Sequence, residues 1–237
     1  MGWTLVQSAV SNAPTRTGTT SGALAPTATL GATTPGNLLV ICSVGQAIGS
    51  TPTIGLASIS GGGTWNTRGS WGDSQTSGTI WKGGGVFSFI DNVGSFSGTV
   101  TVTYNFGATG VSRVDTAQFV IMEFSGAVTS GTYLDGGGTN LGNASVPDPG
   151  LLFSTASNEL VVSGYVGNTG PSGLPTGFSS PGSLSGMAYA GVVYKLNAPV
   201  GQTAAWSSGS QAKWGAGAHT VFGLTASELV QTDLMFF

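Results

Sequence analysis

Apolar and polar residues alternate one by one through short runs of this chain, and that period of two is what most narrows the folds open to it. Thr99-Val100-Thr101-Val102-Thr103-Tyr104 and Phe87-Ser88-Phe89-Ile90 are clear cases. Phe119-Val120-Ile121-Met122-Glu123-Phe124, Glu159-Leu160-Val161-Val162 and Ala190-Gly191-Val192-Val193-Tyr194 belong with them. Successive side chains of an extended strand point to opposite faces, so these runs describe half-buried strands. Glycine argues the same way: the chain has 41 of them, and each costs about 1 kcal/mol relative to alanine inside a helix. The pattern predicts about twelve strands and no substantial helix. The fold class expected is all-β, a two-sheet antiparallel β-sandwich of jelly-roll type.

The order of segments repeats. Asn37-Leu38-Leu39-Val40-Ile41 has its counterpart in Asn158-Glu159-Leu160-Val161-Val162, each followed by a Gly/Ser/Pro-rich loop and then Gly63-Thr64-Trp65 or Gly177-Phe178. A strand ending at a Val-Gly turn comes next (Val93-Gly94, Val200-Gly201), then a polar strand near 99–104 or 202–207, then a long apolar strand at 117–124 or 216–224. The expectation is one β-sandwich domain over 1–226, with pseudo-repeats at about 36–126 and 157–225. A Gly/Pro-rich connector at 132–150 joins them.

Charge is what the chain lacks. Charged residues are 6% of it, against roughly 25% in ordinary soluble domains, while Ser and Thr make up about a quarter. Its six cations are Arg16, Arg68, Lys82, Arg113, Lys195 and Lys213. Scattered in this way they cannot make the phosphate-neutralising stripe that nucleic acid demands, so no nucleic-acid partner is expected. A surface so poor in charge associates readily. No apolar run reaches membrane-spanning length, and no membrane insertion is expected. Met1-Gly2-Trp3-Thr4 lacks the basic and apolar regions of a secretion signal, and Val6 stands where a myristoylation motif wants a hydroxyl. Cys42, alone in an apolar run, reads as a buried hydrophobe.

Catalytic chemistry finds little to work with, and the expectation is no enzyme. His219 is the single histidine, which excludes His-rich metal sites, and it reads as a strand residue beside a hydroxyl neighbour. Glu123 interrupts an apolar strand and is expected to face outward by alternation. It is also the first suspect should a carboxylate pair serve glycoside hydrolysis. Asp115, Asp135, Asp148 and Glu159 read as strand-start and turn residues that bond backbone. The clusters 61–63, 83–85 and 136–138 lack the Gly-Lys-Ser/Thr of a phosphate loop and read as turns and bulges. No cofactor and no metal is expected.

Recognition has two candidates. Trp65 and Trp71 flank Arg68, and tryptophan faces stack on sugars and anchor interfaces. Most of the six tryptophans are expected in the core. The segment 227–237 is an apolar tail whose Leu234, Met235, Phe236 and Phe237 read either as folding back onto their own sandwich or as a candidate assembly contact docked into a neighbouring subunit.

Taken in order, Pro35-Gly36-Asn37-Leu38-Leu39-Val40, Gly61-Gly62-Gly63-Thr64-Trp65, Glu123-Phe124-Ser125-Gly126 and Asn158-Glu159-Leu160-Val161-Val162 resemble β-sandwich structural proteins of tailed-bacteriophage virions. These are the minor tail, fibre and capsid-decoration proteins. The resemblance spans about 36–224 and rests on motifs of Gly, Leu, Val, Ser and Trp. Residues 1–34 and the tail from 227 lie outside it. It implies a non-enzymatic component on the exterior of a virion, made in a host cytoplasm and released with the particle. Its partners are then other virion proteins and further copies of itself, with a trimer expected. The alternative is a carbohydrate-binding adhesin module that meets a host-surface glycan through exposed tryptophans.

Overall fold

The computed structural model of the chain describes residues 2–49, 53–75, 81–108, 110–126, 134–142, 146–150, 157–184, 190–208 and 214–221, with backbone alone at 71–75, 208, 215 and 220. Everything regular in it is strand, and all pairing is antiparallel.

The central sheet is built on β5 (Leu38–Ile48), which pairs with β10 (Arg113–Ser125) on one side and β8 (Trp81–Ile90) on the other. Beyond β8 lies the edge strand β7 (Asn66–Gln75). Beyond β10 lie β1 (Thr4–Val10) and β2 (Thr15–Gly18), sharing its far side end to end. A second sheet is centred on β9 (Gly98–Phe106), flanked by β3 (Gly22–Leu24) and β4 (Thr27–Leu30) on one side and β6 (Ile54–Ser60) on the other. The third runs β11 (Leu134–Gly142), β16 (Trp214–Val221), β12 (Glu159–Gly167), β14 (Ala190–Ala198). A short ladder of β13 (Pro171–Gly173) with β15 (Ser207–Ser208) completes the set.

The antiparallel sandwich expected from the alternation is what forms, and it has a further layer. The reason lies in β5. Its run of Leu38 to Val44 is apolar at nearly every position, and both of its faces are covered. Leu38, Val40, Cys42 and Val44 point into a core shared with Leu160, Val162, Val166, Val192 and Val221 of the β12 sheet. Leu39 and Ile41 point the other way, into a core with Val100, Val102, Tyr104 and Phe106 of the β9 sheet. Strand β10 divides likewise, Val120, Met122 and Phe124 against Ala117, Phe119 and Ile121. A strand buried on both faces reads as a continuous apolar run, and each large side chain so buried contributes about 1.5–3 kcal/mol. Two local devices fit the β9 sheet to the central one: the Ser43 and Tyr104 hydroxyls lie 2.9 Å apart, and Gly45 leaves room for the Tyr104 ring, which a Cβ there would meet at 3.2 Å.

On its outer face the β12 sheet carries a third cluster, in which Trp206, Trp214 and Phe178 cover Tyr165, Val161, Ala216 and Ala218. Trp3, Trp81, Trp206 and Trp214 are all buried, as the sequence led one to expect for most of the tryptophans. Cys42 is a free, fully buried thiol, and burial pushes its pKa well above the ordinary value. The order β16–β12–β14 has the same sequence of roles as β10–β5–β8: last long strand, first long strand, middle strand.

Candidate functional site

The tryptophan–arginine stretch lies at and just before the edge strand β7. Trp65 is half-buried and packs against the core that holds Leu39 and Ile90, and its indole N–H donates to the Gly61 carbonyl at 2.8 Å. One side of it lines an open groove of about 490 Å³ with Leu56, Ile59, Thr64 and Thr67. Arg68 is exposed and pairs in register with Phe87. A bulge at Gly69 follows, after which Ser70 opposes Val86 and position 71 opposes Gly85. Position 71 thus falls on the face of Arg68 and Phe87, towards the β12 sheet. Trp65 lies on the other face, towards the β9 sheet. Trp65 and Arg68 are close in sequence, but this register sets them on opposite faces of the sheet. The tail residues Leu234, Met235, Phe236 and Phe237 lie outside the described residues.

The acids serve the interior. Glu123 is fully buried, against the expectation that it faces outward. Alternation does put it opposite Met122 and Phe124, but on that opposite face it is covered by the Gln7 side chain from the neighbouring β1 and by the segment leading into β5. Its carboxylate accepts from the Gln7 side chain at 2.6 Å, the Asn37 side chain at 2.6 Å and the Thr34 backbone N–H at 2.8 Å. Gln7 reaches on to bond Gly31 N–H through its own oxygen. One carboxylate therefore pins β1, β10 and the 31–37 crossing together.

Asp115, expected to bond backbone at a strand start, instead sits inside β10 between two arginines. Arg113 Nε and Arg16 Nη2 each approach it to 2.6 Å, and both guanidinium groups also donate to the Thr20 carbonyl. Arg113 and Asp115 are buried. Glu159 is also buried. Glu123, Asp115 and Glu159 thus lie in the interior, none of them lining an open groove. Among the described residues no three of His, Cys, Asp and Glu stand close enough to hold a metal ion.

His219 lies between sheets. Its ring stands edge-on to Phe87 and Phe89, at centroid distances of 5.3 and 5.7 Å. Above it passes the Gly69 bulge, where an added Cβ would collide with Nε2, and that nitrogen has no hydrogen-bond partner. Burial lowers its pKa from 6.5 to about 4. A hydrogen bond with the Gly136 backbone opposes the shift, and the Arg68 charge adds to it. This histidine is a packing group held neutral.

One surface went unremarked at the level of sequence. The outward face of the β9 sheet is a grid of hydroxyls. Thr29 stands beside Thr99, their oxygens 3.3 Å apart. The next row is Thr27, Thr101 and Ser60, and the next Thr103 with Ser58. No residue of β3, β4, β6 or β9 carries a charge. The Thr-Val-Thr-Val-Thr alternation of β9 was visible in the sequence, but its neighbours come from segments about 40 to 70 residues away, so the grid exists only once the strands pair.

Comparison of the chain with protein-family models, with curated proteins and with solved structures finds no match.

Proposed function

We propose that this chain is a non-enzymatic structural component of the exterior of a phage particle, held there by contacts with other virion proteins and with further copies of itself. The observation that carries the reading is where the charges are. Of nine acidic residues, Asp115, Glu123 and Glu159 are buried, as is Arg113. The surface is therefore poorer in charge than the composition already implied, and such a surface favours permanent packing over free diffusion. Glu123 and Asp115 are held in internal ties, which supports a structural rather than a hydrolytic use of those two acids. The resemblance of the Asn37–Val40, Gly61–Trp65 and Asn158–Val162 motifs to virion β-sandwiches supports a place on a virion. The shared strand order of the two halves favours an internal duplication as the origin of the sandwich.

Immunogold labelling of intact particles with antibody against the chain tests the reading. Regular gold on heads or tails is the expected result. Gold confined to free protein or to cell surfaces would overturn it.

A further inference from the structure

At one end of the hydroxyl grid the β9 sheet has a depression of about 530 Å³. It forms around Asn105, which the register sets between Ala23 of β3 and Gly55 of β6. Neither neighbour carries more than a methyl group, so the exposed Asn105 carboxamide stands without a flank on either side. Ser21 and Thr53 contribute hydroxyls to the rim, and no charged residue lines it. We propose that this depression is a binding site for a neutral carbohydrate, with Asn105 as the residue that reads it.

The chemistry of the rim leads to that class of ligand. A carboxamide offers two donors and an acceptor from one planar group, a match for two adjacent sugar hydroxyls, each donor and acceptor at once. The volume lies within the range of small-molecule sites. From the depression the rows of Thr103 with Ser58 and of Thr101 with Thr27 and Ser60 continue along β9. They extend an uncharged polar surface beneath any further sugar units.

Gly55 supplies a second argument. A Cβ built there meets nothing within 4 Å, and its φ lies outside the left-handed region. Neither packing nor backbone conformation requires glycine at this position; what glycine does is leave the space beside Asn105 open. Gly61, close by in sequence, is different: its φ is +87° and an added Cβ would run into the Thr99 carbonyl.

Other ligand classes fit less well. At Asn105 the neighbours of β9 are β3 and β6, so no open strand edge is offered there to an extended peptide. A phosphate-bearing ligand would need cations, and Arg16, whose guanidinium lies against Gly22, is held by Asp115. A lipid would need a largely apolar surface, and here Ser21, Thr53 and Asn105 share the lining with Ala23, Ile54 and Phe106. The site is also separate from Trp65, Arg68 and Trp71, so it does not depend on stacking by those residues, and it is independent of whether the chain sits on a virion.

The test titrates the isotopically labelled full chain with short neutral gluco-, manno- and galacto-oligosaccharides. The side-chain amide resonances of Asn105 are followed, assigned by their loss in Asn105→Ala. Affinities of wild type, Asn105→Ala and Gly55→Tyr are then measured by calorimetry, with thermal melting as the control for folding. The expected result is saturable movement of the Asn105 resonances by one sugar class. Affinity should fall about tenfold in Asn105→Ala, the loss of one to two hydrogen bonds. Binding should vanish in Gly55→Tyr, with melting unchanged. Three results would each overturn the proposal: no shift with any neutral sugar at about 10 mM, weaker than any useful affinity; equal affinity in wild type and both variants; or tighter binding of acidic than of neutral sugars.

Discussion

Acid should loosen this protein through one side chain. In the folded chain His219 has its pKa lowered from 6.5 to about 4, first by burial and then by the charge of Arg68, with the Gly136 backbone hydrogen bond working against both. The unfolded chain, with a histidine near its ordinary value, takes up the proton first. Stability due to this group is therefore complete above pH 6.5, falls as pH drops from 6.5 towards 4, and is level below that. At 1.36 kcal/mol per pK unit the interval amounts to about 3 kcal/mol, a large part of the roughly 5–15 kcal/mol that holds a domain together. Other acids titrate in the same region, so the measurement is a difference. Urea unfolding of wild type and His219→Gln is followed by tryptophan fluorescence at several pH values between 7.5 and 4. The glutamine variant starts lower, having lost the ring that packs on Phe87 and Phe89. The gap between the two curves should close by about 3 kcal/mol as pH falls. As His219 is the only histidine in the chain, its proton resonances give the pKa directly. Parallel curves, or a measured pKa near 6.5, would refute the reasoning that the ring is sealed between sheets.

Four more expectations follow from the packing. Glu123→Ala should lower unfolding free energy by about 1–3 kcal/mol, because it takes the acceptor from the buried Asn37 amide and from the part-buried Gln7 and Thr34 donors, whereas Glu123→Gln should cost distinctly less; denaturant titration decides. Gly69→Ala should cost about 1–3 kcal/mol by denaturant titration, from a φ of +53° and the collision with His219. Gly55→Ala, with open space around it, should change melting little. Val40→Ala and Ile41→Ala should both destabilise, by about 2–4 kcal/mol each; a near-neutral result for either would mean that one face of β5 is not covered.

Alternation along β10 led to the expectation that Glu123 faces outward. What alternation reports is which side chains share a face. It does not report what lies beyond that face. For β9 the alternation of Thr99, Thr101 and Thr103 with Val100 and Val102 does correspond to a half-buried strand, because one face of that sheet meets water. For β10 the same inference failed at Glu123, because the central sheet has a neighbour on each side. The warning was present in β5, whose Leu38-Leu39-Val40-Ile41-Cys42 run leaves no position for a solvent face. Trp65 and position 71 illustrate a related limit. Six residues apart, they would share a face in an unbroken strand, and it takes the Gly69 bulge, one residue set against none, to shift the alternation between them.

The amino-acid sequence by itself determined the class of structure. Period-two alternation and a glycine supply hostile to helices leave antiparallel sheet as the way to bury this much Val, Leu, Ile and Phe. Those are local properties, written in neighbouring residues. Only the tertiary structure decided that three sheets stack rather than two, that Asp115 and Glu123 are buried, that His219 is sealed under Gly69, and that Asn105 stands between Ala23 and Gly55. Each of these depends on strands distant in the chain being brought into register. The free energy that selects the register is spread over whole faces of a sheet, so no single motif records it.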